Sequence, residues 1–428
     1  MRVLLINPPT RLVVQPSVYP PIGLGYVAAA FRRFRPNWTT DLLDCAGAKP
    51  ATVVNTILDG LYDIVGFTGS SLYWKDTENI VRSLRASAVR TPYLIAGGPH
   101  VTLTKDYDSN LWDTVFVGVA DLTVGDFCDD FDNKKPHGIY MPRQCEPDDL
   151  PIPIAPLGAN MNVGGAGATA VLYTSFGCTH NCSFCAARAM YPRVKFRSID
   201  HVMKEIDHYV KLGVKSIRFM DDAFTMSIPR ISDLCARLKP LGLSWGCMAR
   251  VDQVGMNILD EMKASGCTEI AFGIESFDQN VLDMVGKKVL VSRNAEALKL
   301  AYESGLAVEA FIMTGAPGES VRTAKENIFH LKYHERMISK LLLQTFMPYP
   351  GCAVWKDPKA HGIEIVDFDV SKYNAHQYMR GVNGEVCEVP IWSPHRIKGL
   401  TYYQQLENHR MMREYCVSTS KATKGIYK

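Results

Sequence analysis

Short apolar runs alternate with amphipathic stretches along most of the chain. Up to about residue 135 the runs are Arg2–Ile6, Thr40–Leu43, Asp63–Phe67, Tyr93–Ala96 and Thr114–Val117, apolar without strict alternation. That is the pattern of strands covered on both faces in a parallel sheet. Helical stretches such as Ile22–Phe34 and Thr77–Ala88 separate them. The expected fold class is α/β, with a Rossmann-like doubly wound domain over residues 1–145. The proline-rich Glu146–Pro153 and the cluster Gly164-Gly165-Ala166-Gly167 read as a linker over 146–170. The glycine cluster precedes a strand instead of following one, which argues against a phosphate loop. A second series then sets strands at Val171–Phe176, Ser216–Met220, Ser244–Met248, Glu269–Phe272, Ala307–Met313 and Leu341–Phe346. Its helices are expected at Ile199–Leu212, Ile228–Leu241, Met256–Ser265 and Thr323–Met337. Six βα repeats make a doubly wound sheet or a partial (β/α)6 barrel of the TIM type, here taken as a barrel over 171–350. In a barrel the chemistry belongs at the C-terminal ends of the strands. Beyond Gly351 the pattern lapses into an irregular, aromatic-rich C-terminal segment, 351–428, with one late helix at Ile397–Tyr415.

Composition narrows the class. Lys plus Arg number 47 against 44 Asp plus Glu in 428 residues, a net charge of +3. That balance argues against wholesale nucleic-acid binding, which needs a concentrated basic field. No apolar stretch is long enough to span a bilayer, and the N-terminus reads as a first strand rather than a signal peptide. A cytoplasmic protein acting on a small molecule, without nucleic-acid or membrane partners, is expected. Its twelve cysteines are then free thiols or metal ligands rather than disulfides.

Two places carry candidate chemistry. In the first domain, Asn7-Pro8-Pro9, Thr68-Gly69-Ser70-Ser71 and Gly97-Gly98-Pro99-His100 follow predicted strands. Such loops converge on one edge of a doubly wound sheet, where ligands bind and glycine lets backbone approach them; the same residues also serve tight strand-to-helix turns. In the second domain the first strand runs into Gly177-Cys178-Thr179-His180-Asn181-Cys182-Ser183-Phe184-Cys185. Three thiolates spaced Cys-x3-Cys-x2-Cys can hold three irons of a [4Fe–4S] cube and leave the fourth open. A structural zinc site wants a fourth ligand, and His180 sits awkwardly between two of the cysteines. A ferredoxin-type carrier wants a fourth cysteine, and none occurs before Cys235. Burial as small apolar residues suits Cys45 or Cys267, not three cysteines among polar neighbours.

Cys178-x3-Cys182-x-Phe184-Cys185 resembles the signature of the radical S-adenosylmethionine (SAM) superfamily. The likeness extends to Phe219–Thr225, Trp245–Asp252, Gly273-Ile274-Glu275-Ser276, Gly315–Glu319 and Met347–Gly351, and in the first domain to Asn7-Pro8-Pro9, Pro21–Leu24 and Gly97–His100. Together these cover about residues 1–355 and point to the branch with an N-terminal cobalamin-binding domain. The resemblance implies reductive cleavage of SAM, with an electron from a flavodoxin- or ferredoxin-type reductant, normally giving a 5′-deoxyadenosyl radical. It implies Cys178, Cys182 and Cys185 as iron ligands. For SAM it implies Phe184 beside the cluster, Asp222 for the ammonium, Arg250 for the carboxylate, Glu275 and Ser276 for the ribose or methionine end, and Gly315 under the adenine. Gly69, Ser70, Gly97 and Gly98 are the candidate cobalamin contacts. Asp221, Asp222 and Arg250 read equally well, one at a time, as surface carboxylates and an ion pair.

The sequence departs from the branch in places. Methylcobalamin-dependent relatives often carry Asp-x-His-x-x-Gly for the lower cobalt ligand. The loop Pro9–Gln15 has no histidine, and neither has Asp44-Cys45-Ala46-Gly47; the usual acidic phrase after the fifth strand reads Gly118-Val119-Ala120-Asp121. With cobalamin, the resemblance implies methyl transfer to an unactivated centre. Without it, transfer of the 3-amino-3-carboxypropyl group of SAM, as in arsinothricin-type biosynthesis, or a radical rearrangement or cyclisation is the alternative. Smaller features read as structure: His330 and His334 as a solvated helix face, Gly286-Lys287-Lys288 as lacking the upstream glycine of a phosphate loop, and the tyrosines from Tyr402 to Tyr415 as packing. Cys352 and Cys387 carry no spacing argument.

Overall fold

The computed structural model describes residues 1–10, 21–87, 90–120, 122–143, 146–154, 169–373, 378–380, 386–388 and 392–419. Cys145, the glycine cluster 164–167, the loop 11–15 and the side chain of Cys387 lie outside the described residues. The chain divides into two compact units, one built from Met1–Val163 and the other largely from Gly164 onward.

In the first unit β1 (Arg2–Asn7), β2 (Thr39–Asp44), β3 (Ile64–Thr68), β4 (Tyr93–Gly97), β5 (Thr114–Phe116) and β6 (Ile139–Tyr140) form one parallel sheet. Their order is β2-β1-β3-β4-β5-β6. Both faces are covered, which explains why the runs do not alternate strictly. Leu4 and Ile6 join one core with Val65, Phe67, Leu94 and Ala96, while Val3 and Leu5 join the opposite core with Ile64, Ile95 and Phe116. The helices α1 (Ile22–Phe34) and α4 (Thr123–Asp132) fill one side, α2 (Pro50–Gly60) and α3 (Trp74–Arg85) the other. The helix α3 starts three residues before its expected position because Trp74 is a core residue, stacked on His100 and Trp112 at 4.8 and 5.4 Å between ring centroids. The sixth strand is only two residues long, too short to leave a sequence pattern. The described part of the proline-rich stretch, 146–154, packs along α1: Ile154 N donates to Gly25 O at 3.0 Å, and a Cβ at Gly25 would meet Ile154 O at 2.6 Å.

The second unit holds β7 (Thr169–Leu172), β8 (Ser216–Phe219), β9 (Ser244–Ala249), β10 (Cys267–Glu275), β11 (Ala307–Thr314) and β12 (Lys340–Thr345). They pair in parallel, each with the next in the chain. That unreversed order is barrel-like, and it decides between the two architectures the βα repeats allow. The first expected strand, Val171–Phe176, splits. Its end, Ser175–Phe176, turns away to pair antiparallel with Lys195–Phe196.

The C-terminal helix forms at Tyr402–Ser418, capped by Thr401 and Gln404. Its tyrosines are only in part a packing face: Tyr402 and Tyr415 are half-buried, while Tyr403 is exposed. The buried side is polar, with Gln405, Asn408, His409 and Arg413 alongside Met412 and Cys416. The helix at Thr323–Tyr333 ends before His334. His330 and His334 are therefore not a solvated pair; both rings stack in a column with Phe277, which lies 4.8 Å from His330 and 6.0 Å from His334. Among the described residues no helix is long and apolar enough to cross a membrane.

Candidate active site

The expected SAM contacts Asp222, Arg250, Glu275, Ser276 and Gly315 lie at or just past the C-terminal ends of parallel strands, and the three cysteines lie in the loop that follows β7, as a barrel site requires. The loop after β7 is fixed first. Asp221, fully buried just past β8, accepts from Thr174 N (2.7 Å) and Oγ1 (2.8 Å) and from Ser175 N (2.5 Å) and Oγ (3.1 Å). Arg230 adds donors to Thr174 Oγ1 and O at 3.0 and 2.8 Å. Burial pushes the Asp221 carboxyl up to about 6, against the pull of those hydrogen bonds. Asp221 is thus a staple that pins the entry to the cysteine loop. Its neighbour Asp222 lies at the surface and accepts from Gly177 N at 3.0 Å. Gly177 has φ +83°, and a Cβ there would press on Tyr191.

Cys178 and Cys182 are half-buried and Cys185 is exposed, whereas Cys45, Cys128, Cys235, Cys247, Cys267, Cys352 and Cys416 are all buried. Among the described residues only the three loop thiols combine polar surroundings with access. Partial burial pushes the Cys178 thiol up, a shift that a cationic metal reverses by deprotonating its thiol ligand outright. The loop is anchored by backbone: Ser183 N donates to Val285 O (2.8 Å), and Val354 N to Ser183 O (3.0 Å). Phe184 packs into the apolar cluster of Val281, Val285, Met313 and Phe346. Gly286, at φ +66°, passes beside Asn181 O, which a Cβ would meet at 3.3 Å. The Gly286-Lys287-Lys288 turn therefore belongs to the cysteine loop's surroundings, a placement its sequence did not signal.

Arg250, buried past β9, donates to Asp252 Oδ1 from Nε (2.9 Å) and to Asp252 Oδ2 and Lys287 O from Nη2 (3.0 and 2.8 Å). Its Nη1 donates to Cys182 Sγ at 3.4 Å. Gln253 Nε2 lies 3.0 Å from His180 Nε2. Burial, then the charge of Arg250, holds the His180 imidazole below its ordinary pKa. Glu275, at φ +64°, forms a buried ion pair with Lys287 at 2.8 Å. Gly273 makes room for it, since a Cβ there would meet Glu275 Oε1 at 2.4 Å and Lys287 Nζ at 2.7 Å. Asp252 and Lys287 are thus site residues that sequence reasoning missed; Asp252 stood in a quoted phrase, but only the fold shows its partner.

Two expected SAM contacts have other partners. Ser276 is fully buried, and its hydroxyl donates to Asn327 Oδ1 at 3.1 Å. Gly315, at φ +76°, has its N–H on Glu319 Oε1 (2.6 Å) and its carbonyl on His395 Nε2 (2.6 Å). A Cβ there would meet His409 Nε2 at 2.6 Å. The close approach that this glycine permits is made by the protein's own C-terminal helix.

The first unit presents its candidates at the same end of its sheet. Gly98 (φ +98°) and Gly69 are accounted for by packing: a Cβ would meet Thr68 Oγ1 at 2.5 Å in the first case and the Trp74 ring at 2.5 Å in the second. Gly97 has only ordinary contact with Phe116. Ser70 Oγ is buried without a hydrogen-bond partner, the mark of a polar group awaiting one. Both ring nitrogens of His100 are engaged, by Ser71 Oγ (2.9 Å) and Asp106 O (2.7 Å).

Residues 172–331 match the radical SAM superfamily, and residues 10–127 match the B12 binding domain. The chain thus carries a radical SAM domain and a B12 binding domain, the pair that marks the branch its sequence resembles. It is similar to an uncharacterized methyltransferase of Pyrococcus horikoshii, 28% identical over 386 residues, 83% of each chain. It is also similar to the cytidylyl-2-hydroxyethylphosphonate methyltransferase of Streptomyces wedmorensis, 24% identical over 416 residues, 75% of each. Among solved structures it resembles in fold the radical SAM methyltransferase TsrM of Kitasatospora setae, bound to tryptophan and a SAM analog. That likeness has a TM-score of 0.71 at 14% identity and covers 97% of this chain and 89% of the other. The protein is a radical SAM enzyme, and its cofactor classes are a [4Fe–4S] cluster, SAM and cobalamin.

The donor set suits these groups. Three accessible thiols on one anchored loop suit a cluster with an open iron, and the unpartnered Ser70 hydroxyl suits a polar ligand at the sheet edge of the B12-binding domain.

Proposed function

We propose that the protein is a methyltransferase that cleaves SAM reductively and methylates an unactivated centre of a small metabolite, with Cys178, Cys182 and Cys185 holding the cluster and the first domain holding cobalamin. When bound, the cluster supplies the electron that breaks a C–S bond of SAM, and cobalamin supplies a methyl carrier. The observation that carries this reading is the loop of three accessible thiols at the strand ends of an unreversed parallel sheet, in a chain that also has a B12-binding domain. The methyltransferase names of both relatives support the choice of methyl transfer over the aminocarboxypropyl route.

The chain's own residues have defined tasks in this reading. Asp221 fixes the position of the cysteine loop through Thr174 and Ser175. Asp222, exposed beside Gly177, offers a carboxylate to the SAM ammonium. The Glu275–Lys287 pair presents opposite charges at the end of β10 for the polar end of SAM. Ser70 offers a hydroxyl to cobalamin. A flavodoxin- or ferredoxin-type protein in the cytoplasm delivers the electron.

The test is product analysis of SAM turnover after anaerobic reconstitution under a strong reductant. 5′-Deoxyadenosine together with S-adenosylhomocysteine is expected, with cobalamin co-purifying. Methylthioadenosine as the main product would sink methyl transfer in favour of the aminocarboxypropyl route. Cys182→Ala is expected to lose the brown colour, the bound iron and all SAM cleavage while keeping its far-ultraviolet circular dichroism; retained iron would overturn the ligand assignment.

A further inference from the structure

The arginine past β9 is the residue whose surroundings differ most from its expected task. A guanidinium has five N–H donors, and a carboxylate clamp needs two of them side by side. In Arg250 the Nε and Nη2 edge already forks onto Asp252, at 2.9 and 3.0 Å. The second Nη2 hydrogen is held by Lys287 O at 2.8 Å, and Nη1 donates to Cys182 Sγ at 3.4 Å. One N–H remains, which cannot form a fork. The side chain is buried, and Lys287 is itself fixed by its ion pair with Glu275, so the guanidinium is gripped from two elements and aimed at a sulfur.

We propose that Arg250 is a positioning residue for the cluster, not the clamp for the SAM carboxylate: its N–H and positive charge act on the sulfur of Cys182. This rests on the assignment of Cys182 as an iron ligand. A donor on a ligand sulfur stabilises the extra negative charge of a reduced cluster, because hydrogen bonds to the sulfurs are among the features that set such potentials. Arg250 therefore makes the cluster easier to reduce, and Asp252 and the Lys287 carbonyl keep it in place. The SAM carboxylate must then be met elsewhere, and the Lys287 ammonium is a buried cation on the turn that Arg250 grips.

The test compares the reconstituted wild type with Arg250→Gln, which loses the charge, and Arg250→Lys, which keeps it without the fork. Cluster reduction is followed by electron paramagnetic resonance at fixed poise without SAM, and SAM affinity is measured separately on the oxidised protein. In Arg250→Gln the ratio of reduced to oxidised cluster is expected to fall about tenfold, equivalent to about 59 mV for one electron. In Arg250→Lys it is expected to fall less, about threefold. SAM affinity should stay within about threefold in both, since only one N–H is free for it. An unchanged ratio in both variants, or SAM binding weakened about tenfold or more with the ratio kept, overturns the proposal and returns Arg250 to the carboxylate. A wild-type chain that assembles no iron–sulfur cluster would instead overturn the ligand assignment itself, so the two failures are separable.

Discussion

Both units are built from βα repeats on a parallel sheet, yet they prepare their strand ends differently. In the first, the chain steps from β1 outward to β2 and then back across to β3. The loops after β1 and β3 therefore run in opposite directions and open a crevice at the point of reversal. What lines that edge is mostly backbone: glycines at 69, 97 and 98, packed so closely that two of them have no room for a Cβ. In the second, each strand lies beside the next in the chain. Successive strand ends deliver side chains of opposite charge, Asp221 and Asp222, Arg250, then Glu275. A reversed order makes a slot shaped by main chain, and an unreversed order gathers a ring of side chains. The first suits holding a large preformed cofactor by shape, the second suits charge-specific chemistry.

Deleting a side chain should then harm the second sheet most, and adding one should harm the first. Asp221→Ala removes the acceptor of four hydrogen bonds at a fully buried site and is expected to cost about 3 kcal/mol. The check is the urea midpoint of the second unit, with loss of cluster uptake alongside; a cost below about 1 kcal/mol would mean that the loop is held by other contacts. Gly98→Ala adds a methyl at φ +98°, within 2.5 Å of Thr68 Oγ1. It is expected to cost about 2 kcal/mol and to weaken cobalamin retention without affecting iron content. Equal damage to iron and cobalamin would break the comparison.

A smaller effect concerns Glu319, which holds the turn at Gly315. Burial pushes its carboxyl up to about 7 from 4.5, against the pull of donors from Asn408, Gly315 and Ala316. The unfolded chain releases that proton near 4.5 while the folded chain keeps it until about 7. Between those values the folded state binds more protons, so this residue's contribution to stability falls as pH rises. Glu319→Gln should erase that trend. Its melting temperature relative to the parent should climb from pH 5 to 7.5 and then level off, and a flat difference would refute the buried, protonated carboxyl. The histidines beside it work the other way: burial holds His395 near 4 and His409 near 3. Their contribution is lost as pH falls below the ordinary histidine value, which is why the variant difference is the informative measurement. The smallest effect belongs to Ser70→Ala. With no partner for its hydroxyl, stability should move by less than about 0.5 kcal/mol while cobalamin affinity drops about threefold. An unchanged affinity would remove Ser70 from the cobalamin edge.

Much of this architecture was legible in the residues alone. The apolar runs marked five of the six strands in the first sheet and all six in the second, because strands covered on two faces are mostly apolar; the charges that interrupt them, Arg218, Glu269 and Glu309, are paired with one another. Ile22–Phe34 begins and ends where its pattern says. The cysteine loop was legible because three thiols at that spacing among polar residues have few other uses. The strand order and the partners were not. Whether the second βα series reverses depends on which strands meet, a matter of long-range pairing that no local pattern encodes. Asp221 and Asp222 are adjacent and chemically identical, yet one is an internal staple and the other faces solvent, because a strand end turns successive side chains to opposite sides. The C-terminal helix was legible as a helix, but its inner face was not: that face is Gln405, Asn408 and His409, polar side chains whose burial depends on Ser393, Glu319, Ser320 and Thr314 meeting them. Local chemistry determined the strands and the thiol loop; the fold decided which charges meet, since a carboxylate or guanidinium takes its role from the partner that folding brings within reach.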